Sequence, residues 1–302
     1  MKQDIIVIGA GMVGLATAEQ LLLQGAKVTI LERNTVGQES SWAGGGILSQ
    51  LCPWDYSDEV PRLIDYSASL FPEWCSVLHH ATGIDPEYDM SGMLILPPFD
   101  LENAMQWCSM REVKIEEYAF PAIDSNGSKL QGIFLPEVAQ VRNPRLLQAL
   151  RKRVMQLGGN IIEHCAVTGV NIADRRAQSI ISSRGEFIAD YMVICAGAWS
   201  TEILGNHALK LTIKPMRGQM VLFKFDQPPL PTILVQNDVY LIPRRDGHLL
   251  VGSTLEDVGF DKQTTVSARE YLLSRAHPIL PSLQAMPVIQ QWSGLRPASA
   301  DN

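Results

Sequence analysis

Gly9-Ala-Gly11-Met-Val-Gly14 stands directly behind the apolar run Asp4-Ile-Ile-Val-Ile8, and no other feature restricts the fold as much. A short apolar run ending in glycine reads as a parallel strand buried on both faces. Residues 15–24 follow with helical patterning, Gly25 closes them, and Lys27-Val-Thr-Ile-Leu-Glu32 reads as a second strand ending in an acid. In such a βαβ unit each glycine has a steric role: Gly9 turns the chain, Gly11 admits a pyrophosphate to the backbone, and Gly14 lets helix and strand pack closely. The helix N-terminus then offers N–H groups and a positive dipole end to phosphates. Glu32, 21 positions after Gly11, is placed to accept hydrogen bonds from ribose hydroxyls. Its charge would repel a 2′-phosphate, which makes NADP the least favoured dinucleotide and leaves FAD and NAD open at this point.

Composition narrows the class. A length of 302 residues corresponds to roughly two domains. With 46% hydrophobic and 19% charged residues, disorder, collagen-like repeats and coiled coil are excluded. The net charge is −7, and the largest basic block, Arg151-Lys152-Arg153, lies inside a helical pattern, so a nucleic-acid partner is disfavoured. Residues 5–23 are apolar enough to attract a membrane reading, but they contain Glu19, Gln20 and three glycines, and Asp4 sits where a signal peptide would be basic. The five cysteines stand 23 or more positions apart, with no metal-ligand spacing, which points to reduced thiols in a cytoplasmic protein and to no metal site.

Glu39-Ser40-Ser41-Trp-Ala-Gly44-Gly45-Gly46-Ile47 places two hydroxyls and three glycines in one loop, whose backbone could run against a flat ligand. Residues 60–78 have helical spacing, with Pro72 expected to start a second segment. From 87 to 143 the pattern changes to a strand at 90–96, a helix capped by Asp100, and turn-rich pieces such as Ser125-Asn-Gly-Ser128. Asn143-Pro144 is expected to cap a helix ended by Gly158-Gly159, followed by strands at 160–163, 167–172 and 187–195. The last of these ends in Cys195-Ala196-Gly197, as a further strand of the nucleotide sheet would. After Leu211 an antiparallel meander is predicted over 219–225, 233–236, 240–243 and 248–254, then a helix at 267–276 and a strand at 288–292 leading into Gly294-Leu-Arg296-Pro297.

Seven motifs occur in one order: G-A-G-M-V-G with Glu32, S-S-W-A-G-G-G-I-L, C-A-G-A-W-S, P-M-R-G-Q, Y-L-I-P-R, V-G-S-T-L and W-S-G-L-R-P. The series spans essentially the whole chain and resembles the FAD-dependent glycine/D-amino-acid oxidase family, on its glycine-oxidase branch linked to thiamine biosynthesis. The resemblance implies an α/β fold, with a discontinuous Rossmann-type FAD-binding domain and an α+β substrate domain whose antiparallel sheet roofs the flavin. The corresponding boundaries are 1–86, 143–212 and 293–302 for the FAD-binding domain, and 87–142 and 213–292 for the substrate domain.

Carried over by position, Gly9, Gly11, Met12, Val13 and Gly14 would hold the pyrophosphate of a noncovalent FAD, and Glu32 with Arg33 the adenosine ribose. Ser40, Ser41, Gly45, Gly46 and Ile47 would run beside pyrophosphate and flavin. Val167 would pair its backbone with adenine, and Ala196, Gly197, Trp199 and Gly294 would line the cofactor. Arg296, Tyr240, Leu255 and Ile47 would face the substrate, with Arg296 as carboxylate anchor, whereas Arg217 and Arg244 read as surface or ion-pair residues. The implied reaction moves a hydride from an amine carbon to the flavin, which O2 reoxidises to release H2O2, so no protein acid or base is required. A homo-oligomer and hand-off of the imine to a thiazole synthase are compatible partners. A sarcosine or D-amino-acid oxidase or dehydrogenase, and a cofactor-binding scaffold without turnover, remain as alternatives. Family members continue past G-L-R-P through a further strand and helix, so a sequence ending at Asn302 is expected to be either a fragment or a product lacking the final sheet element.

Overall fold

Strand β1 (Asp4–Ile8) leads through the glycine turn into helix α1 (Met12–Leu23) and then strand β2 (Lys27–Leu31) in the computed structural model, which describes residues 3–123 and 129–299. The helix begins three residues before the apolar pattern, because Ser41 Oγ accepts the Met12 amide at 2.9 Å and satisfies an N–H that has no carbonyl within the helix. Gly14 could be nothing larger: a Cβ there would lie 1.9 Å from the Gly9 carbonyl oxygen. The triple-glycine loop opens with one short turn, α2 (Ser40–Ala43).

Helix α3 (Glu59–Thr82) is continuous, so the segment break expected at Pro72 does not occur. Proline removes the N–H that would meet the Ala68 carbonyl, but Pro72 is exposed and water can replace the bond, while Cys75 and Leu78 bury on the far side. Strand β3 (Met93–Leu96) and helix α4 (Leu101–Met110) follow, and Asp100 Oδ1 accepts the Asn103 amide at 3.0 Å as the expected cap. Strands β4 (Glu116–Ile123) and β5 (Lys129–Leu135) form a hairpin where only turn-rich pieces were legible, and the turn expected at 125–128 lies outside the described residues. Helix α5 (Asn143–Gln156) starts at the predicted place, but Asn143 does not cap it. Its side chain turns instead to the glycine loop.

Strand β6 (Asn160–Ile162) precedes three short antiparallel strands, β7 (Val167–Ala173), β8 (Arg176–Ser182) and β9 (Gly185–Phe187), of which β8 was not foreseen. The single strand expected over 187–195 is two, because β9 pairs antiparallel with β8 whereas β10 (Tyr191–Ile194) pairs in parallel with β1. The short helix α6 (Ser200–Leu204) then leads to β11 (Lys214–Lys224), β12 (Ile233–Gln236), β13 (Val239–Pro243) and β14 (His248–Gly252), and helix α7 (Val266–Ile279) to β15 (Gln290–Ala298).

Two sheets organise these elements. The parallel nucleotide sheet has the order β10-β1-β2-β6, with α1, α3 and α5 packing through Leu15, Leu78 and Leu150 on one face and the small sheet on the other. The large mixed sheet has the order β15-β11-β14-β13-β12-β3-β5-β4. Both of its faces are covered, which explains the unbroken apolar runs. Leu94, Leu241 and Val251 pack towards α7, while the alternating Met93, Ile95, Tyr240 and Ile242 point the other way. Strand β15 pairs with β11 from Gln290 to Ala298, so the domain boundary expected between 292 and 293 falls within one strand of the large sheet. No described helix is long and apolar enough to cross a membrane.

Candidate active site

A cavity of about 330 Å3 opens at the carboxyl ends of β1 and β2. Its wall contains Gly9, Glu32, Arg33, Val167, Ala196 and Trp199, six residues from four separate segments that were expected to hold the cofactor, of which Glu32, Arg33 and Val167 were expected at the adenosine. Glu32 is buried, and its carboxylate spans the turn: Oε2 accepts the Ala10 amide at 2.8 Å and Oε1 the Asn34 amide at 2.9 Å. It therefore shapes the glycine turn as well as facing the cavity. The Arg33 guanidinium lies 3.8 Å from the Trp199 ring centroid, and Phe260 stacks on that ring at 5.3 Å. Gly197 stands behind Ala196 with φ +54 and is not part of the wall.

On the other side of the α1 N-terminus lies a larger cavity of about 780 Å3, lined by Met12, Ser41, Gly45, Gly46 and Ile47 from the first domain and by Tyr240, Ser253, Leu255 and Arg296 from the large sheet. A small recess of about 40 Å3 adjoins it, where Ser40 and Gly294 meet Tyr240, Ser253 and Arg296. The amides of Val13 and Gly14 belong to the first helical turn and have no intrahelical carbonyl, the first such bond being that of Leu15 to Gly11. Val13 itself is 68% exposed, and its side chain lines neither cavity. A pocket at the strand ends, unbonded amides beside a helix N-terminus, and a glycine loop without side chains suit adenosine, pyrophosphate and isoalloxazine respectively, so these residues fit FAD.

The glycine loop is held by side chains that the sequence left unassigned. Asn143 Nδ2 donates to the carbonyls of Ser41 at 2.9 Å and Gly44 at 3.0 Å. Arg244, expected on the surface or in an ion pair, is 5% exposed and has no carboxylate partner among the described residues. It donates to Gln140 Oε1 at 2.7 Å, to the Val141 carbonyl at 3.0 Å and to the Gly45 carbonyl at 2.7 Å. Burial and the nearby Arg142 charge push its pKa down to about 10. These tethers join residues about a hundred or more positions apart, so no local pattern announces them.

Three arginines in or next to strands of the large sheet thus meet different fates. Arg217 is buried between Glu256 at 2.6 Å and Asp261 at 2.7 Å, an ion pair as expected. Arg244 is bound to backbone and amide oxygens. Arg296, on β15, is half-buried in the cavity wall and has no carboxylate partner among the described residues; Nη2 donates to Ser253 Oγ. Tyr240, on β13, is 9% exposed, and its hydroxyl makes no hydrogen bond among the described residues. Leu255 contributes an apolar edge, 64% exposed.

The sequence is 41% identical over 308 positions to a glycine oxidase of Pseudomonas aeruginosa, covering 100% of this chain and 84% of that protein. It is 31% identical over 316 positions to the bifunctional protein ThiO/ThiG of Trichormus variabilis, covering 100% of this chain and 47% of the relative. The crystal structure of glycine oxidase from Bacillus cereus superposes with a TM-score of 0.89 at 25% identity, covering 99% of this chain and 84% of that one. Residues 4–302 match the family of FAD dependent oxidoreductases designated DAO. With a parallel nucleotide sheet, a mixed sheet facing it and a glycine cradle between them, the chain belongs to the DAO family of FAD-dependent oxidoreductases.

Proposed function

We propose that this protein is a cytoplasmic oxidase of glycine and related small amines, with its FAD held noncovalently. The observation that carries the reading is Arg296, a cation in a cavity wall with no carboxylate among the described residues to balance it. A substrate carboxylate supplies that anion, and the planar guanidinium can bind it through two parallel hydrogen bonds. The Tyr240 hydroxyl is free to donate to the same group. Ile47, Leu255 and Met216 supply the apolar part of the same wall, which suits a neutral amine better than a charged ammonium. Asp238, the carboxylate of that wall, is taken up by the Tyr271 hydroxyl and receives no role. FAD held by the glycine turn, Glu32 and the triple-glycine loop would supply the two-electron acceptor for oxidation of the amine to an imine, which water hydrolyses, with O2 as final acceptor giving H2O2.

Similarity to a ThiO/ThiG protein supports the further reading that the imine is passed to a thiazole synthase in thiamine biosynthesis. The primary test is to add glycine to the purified flavoprotein without oxygen and follow the flavin absorbance, then admit air and measure peroxide. Bleaching by glycine with one peroxide per turnover supports the proposal. Bleaching only by sarcosine or D-alanine would move the substrate within the family, and no bleaching by any amine would reject oxidase function.

A further inference from the structure

The assignment of the cavity leaves one buried hydroxyl unexplained. Ser253 follows the last residue of β14, where Gly252 pairs with Tyr240 of β13 and Met220 of β11. It is 7% exposed, yet lines both the large cavity and the adjoining recess. Its Oγ accepts from Arg296 Nη2. A guanidinium carries donors and no acceptor, so the serine proton cannot be shared with Arg296 and must point elsewhere. Among the described residues nothing accepts it. Arg296 is itself confined: a Cβ on Gly218 would come 2.9 Å from Nη2, so the guanidinium rests over a glycine and its position beside Ser253 is set by the strand.

We propose that Ser253 is a substrate-binding residue that donates its hydroxyl proton to the carboxylate held by Arg296. The inference rests on the carboxylate-anchor reading of Arg296. The serine then has two roles at once, receiving a donor from the arginine and giving one to the anion, so that Arg296, Tyr240 and Ser253 form a three-sided donor set delivered by β15, β13 and the end of β14. The set selects for a carboxylate over a neutral group, because only an anion with several lone pairs satisfies all three donors.

The test uses the full-chain flavoprotein and glycolate, a carboxylate with no amine to oxidise, whose binding is read from the shift of the flavin absorption bands. Ser253→Ala should weaken glycolate by about 10- to 100-fold, the loss expected for one hydrogen bond to a charged group. Ser253→Thr, which keeps the hydroxyl, should bind within about threefold of wild type. With glycine as substrate the alanine variant should raise KM more than it lowers kcat, while an amine without a carboxylate should be affected far less. Flavin content and Tm should match wild type in both variants. Unchanged glycolate affinity in Ser253→Ala, equal losses for both kinds of amine, or loss of flavin would each overturn the assignment. If wild type binds glycolate but glycine does not bleach the flavin, the proposed function fails while the Ser253 assignment is still decided by the glycolate affinities. A wild type that binds no carboxylate at all overturns both.

Discussion

Arg244 Nη2 donates to the Gly45 carbonyl across 2.7 Å, joining the large sheet to the triple-glycine loop on which FAD would lie. The contact explains how a loop without side chains at three successive positions keeps one shape. Asn143 holds the Gly44 carbonyl on one side, and Arg244 holds Gly45 and Val141 on the other.

Replacing Arg244 by methionine keeps the volume of the stem but leaves three oxygens without a donor. We expect a loss of about 2 to 4 kcal/mol in denaturant unfolding. Flavin should also dissociate on gel filtration. Arg244→Lys should recover only part of this, since an ammonium cannot span the Gln140 and Gly45 oxygens as a planar fork does.

Glu32 offers a second handle on the cofactor. Glu32→Ala removes the acceptor of the Ala10 and Asn34 amides and the acid facing the adenosine cavity. FAD affinity, read by titration of flavin fluorescence quenching, should fall by about 10- to 150-fold. Glu32→Gln keeps one acceptor oxygen and should fall less. Unchanged affinity in both variants would remove Glu32 from the ribose site.

Arg296→Ala should lower kcat/KM for glycine by about 30- to 1,000-fold, the loss of roughly 2 to 4 kcal/mol for a bidentate charge-assisted contact. Arg296→Lys should restore part. A carboxylate-free amine should lose much less, and flavin content should stay at the wild-type level. Equal losses for both substrates would instead indicate a structural or cofactor role.

Acid should loosen the sheet beside the site. Burial of Glu256 would raise its pKa, but hydrogen bonds from Arg217, Thr254 and Gln219, with the Arg217 charge, outweigh that and hold it below its ordinary value of 4.5. A carboxyl depressed in the folded state stabilises above its unfolded pKa and loses that contribution as pH falls through the folded pKa. Glu256→Gln should therefore lower Tm near neutrality, and the gap to wild type should narrow below about pH 4.5 as the wild-type carboxyl is protonated. A gap constant from pH 7 to 3 would show that Glu256 contributes nothing by its charge.

What the sequence determined is the local chemistry of the nucleotide cradle. Gly9, Gly11, Gly14 and Glu32 lie within one βαβ unit, where steric need and spacing act over a few residues, and Gly9 and Glu32 both line the cavity at the strand ends. The strands around Tyr240 and Arg296 were legible because alternation and turn residues are likewise local. Their partners were not. Apolar strands do not say which elements cover the two faces of the large sheet, and Pro72 suggested a break in a helix that packing carries through. Only the tertiary structure showed how each arginine is occupied: Arg217 is paired with acids 39 and 44 positions away, Arg244 is hydrogen-bonded to neutral oxygens up to 199 positions away, and Arg296 has no carboxylate partner among the described residues. Residue type and local pattern do not tell the three apart, because each is an arginine within or next to a strand; only the family resemblance singled out Arg296. A buried charge is set by whatever the fold brings within hydrogen-bond reach, and that depends on sheet register and domain contact rather than on neighbours along the chain.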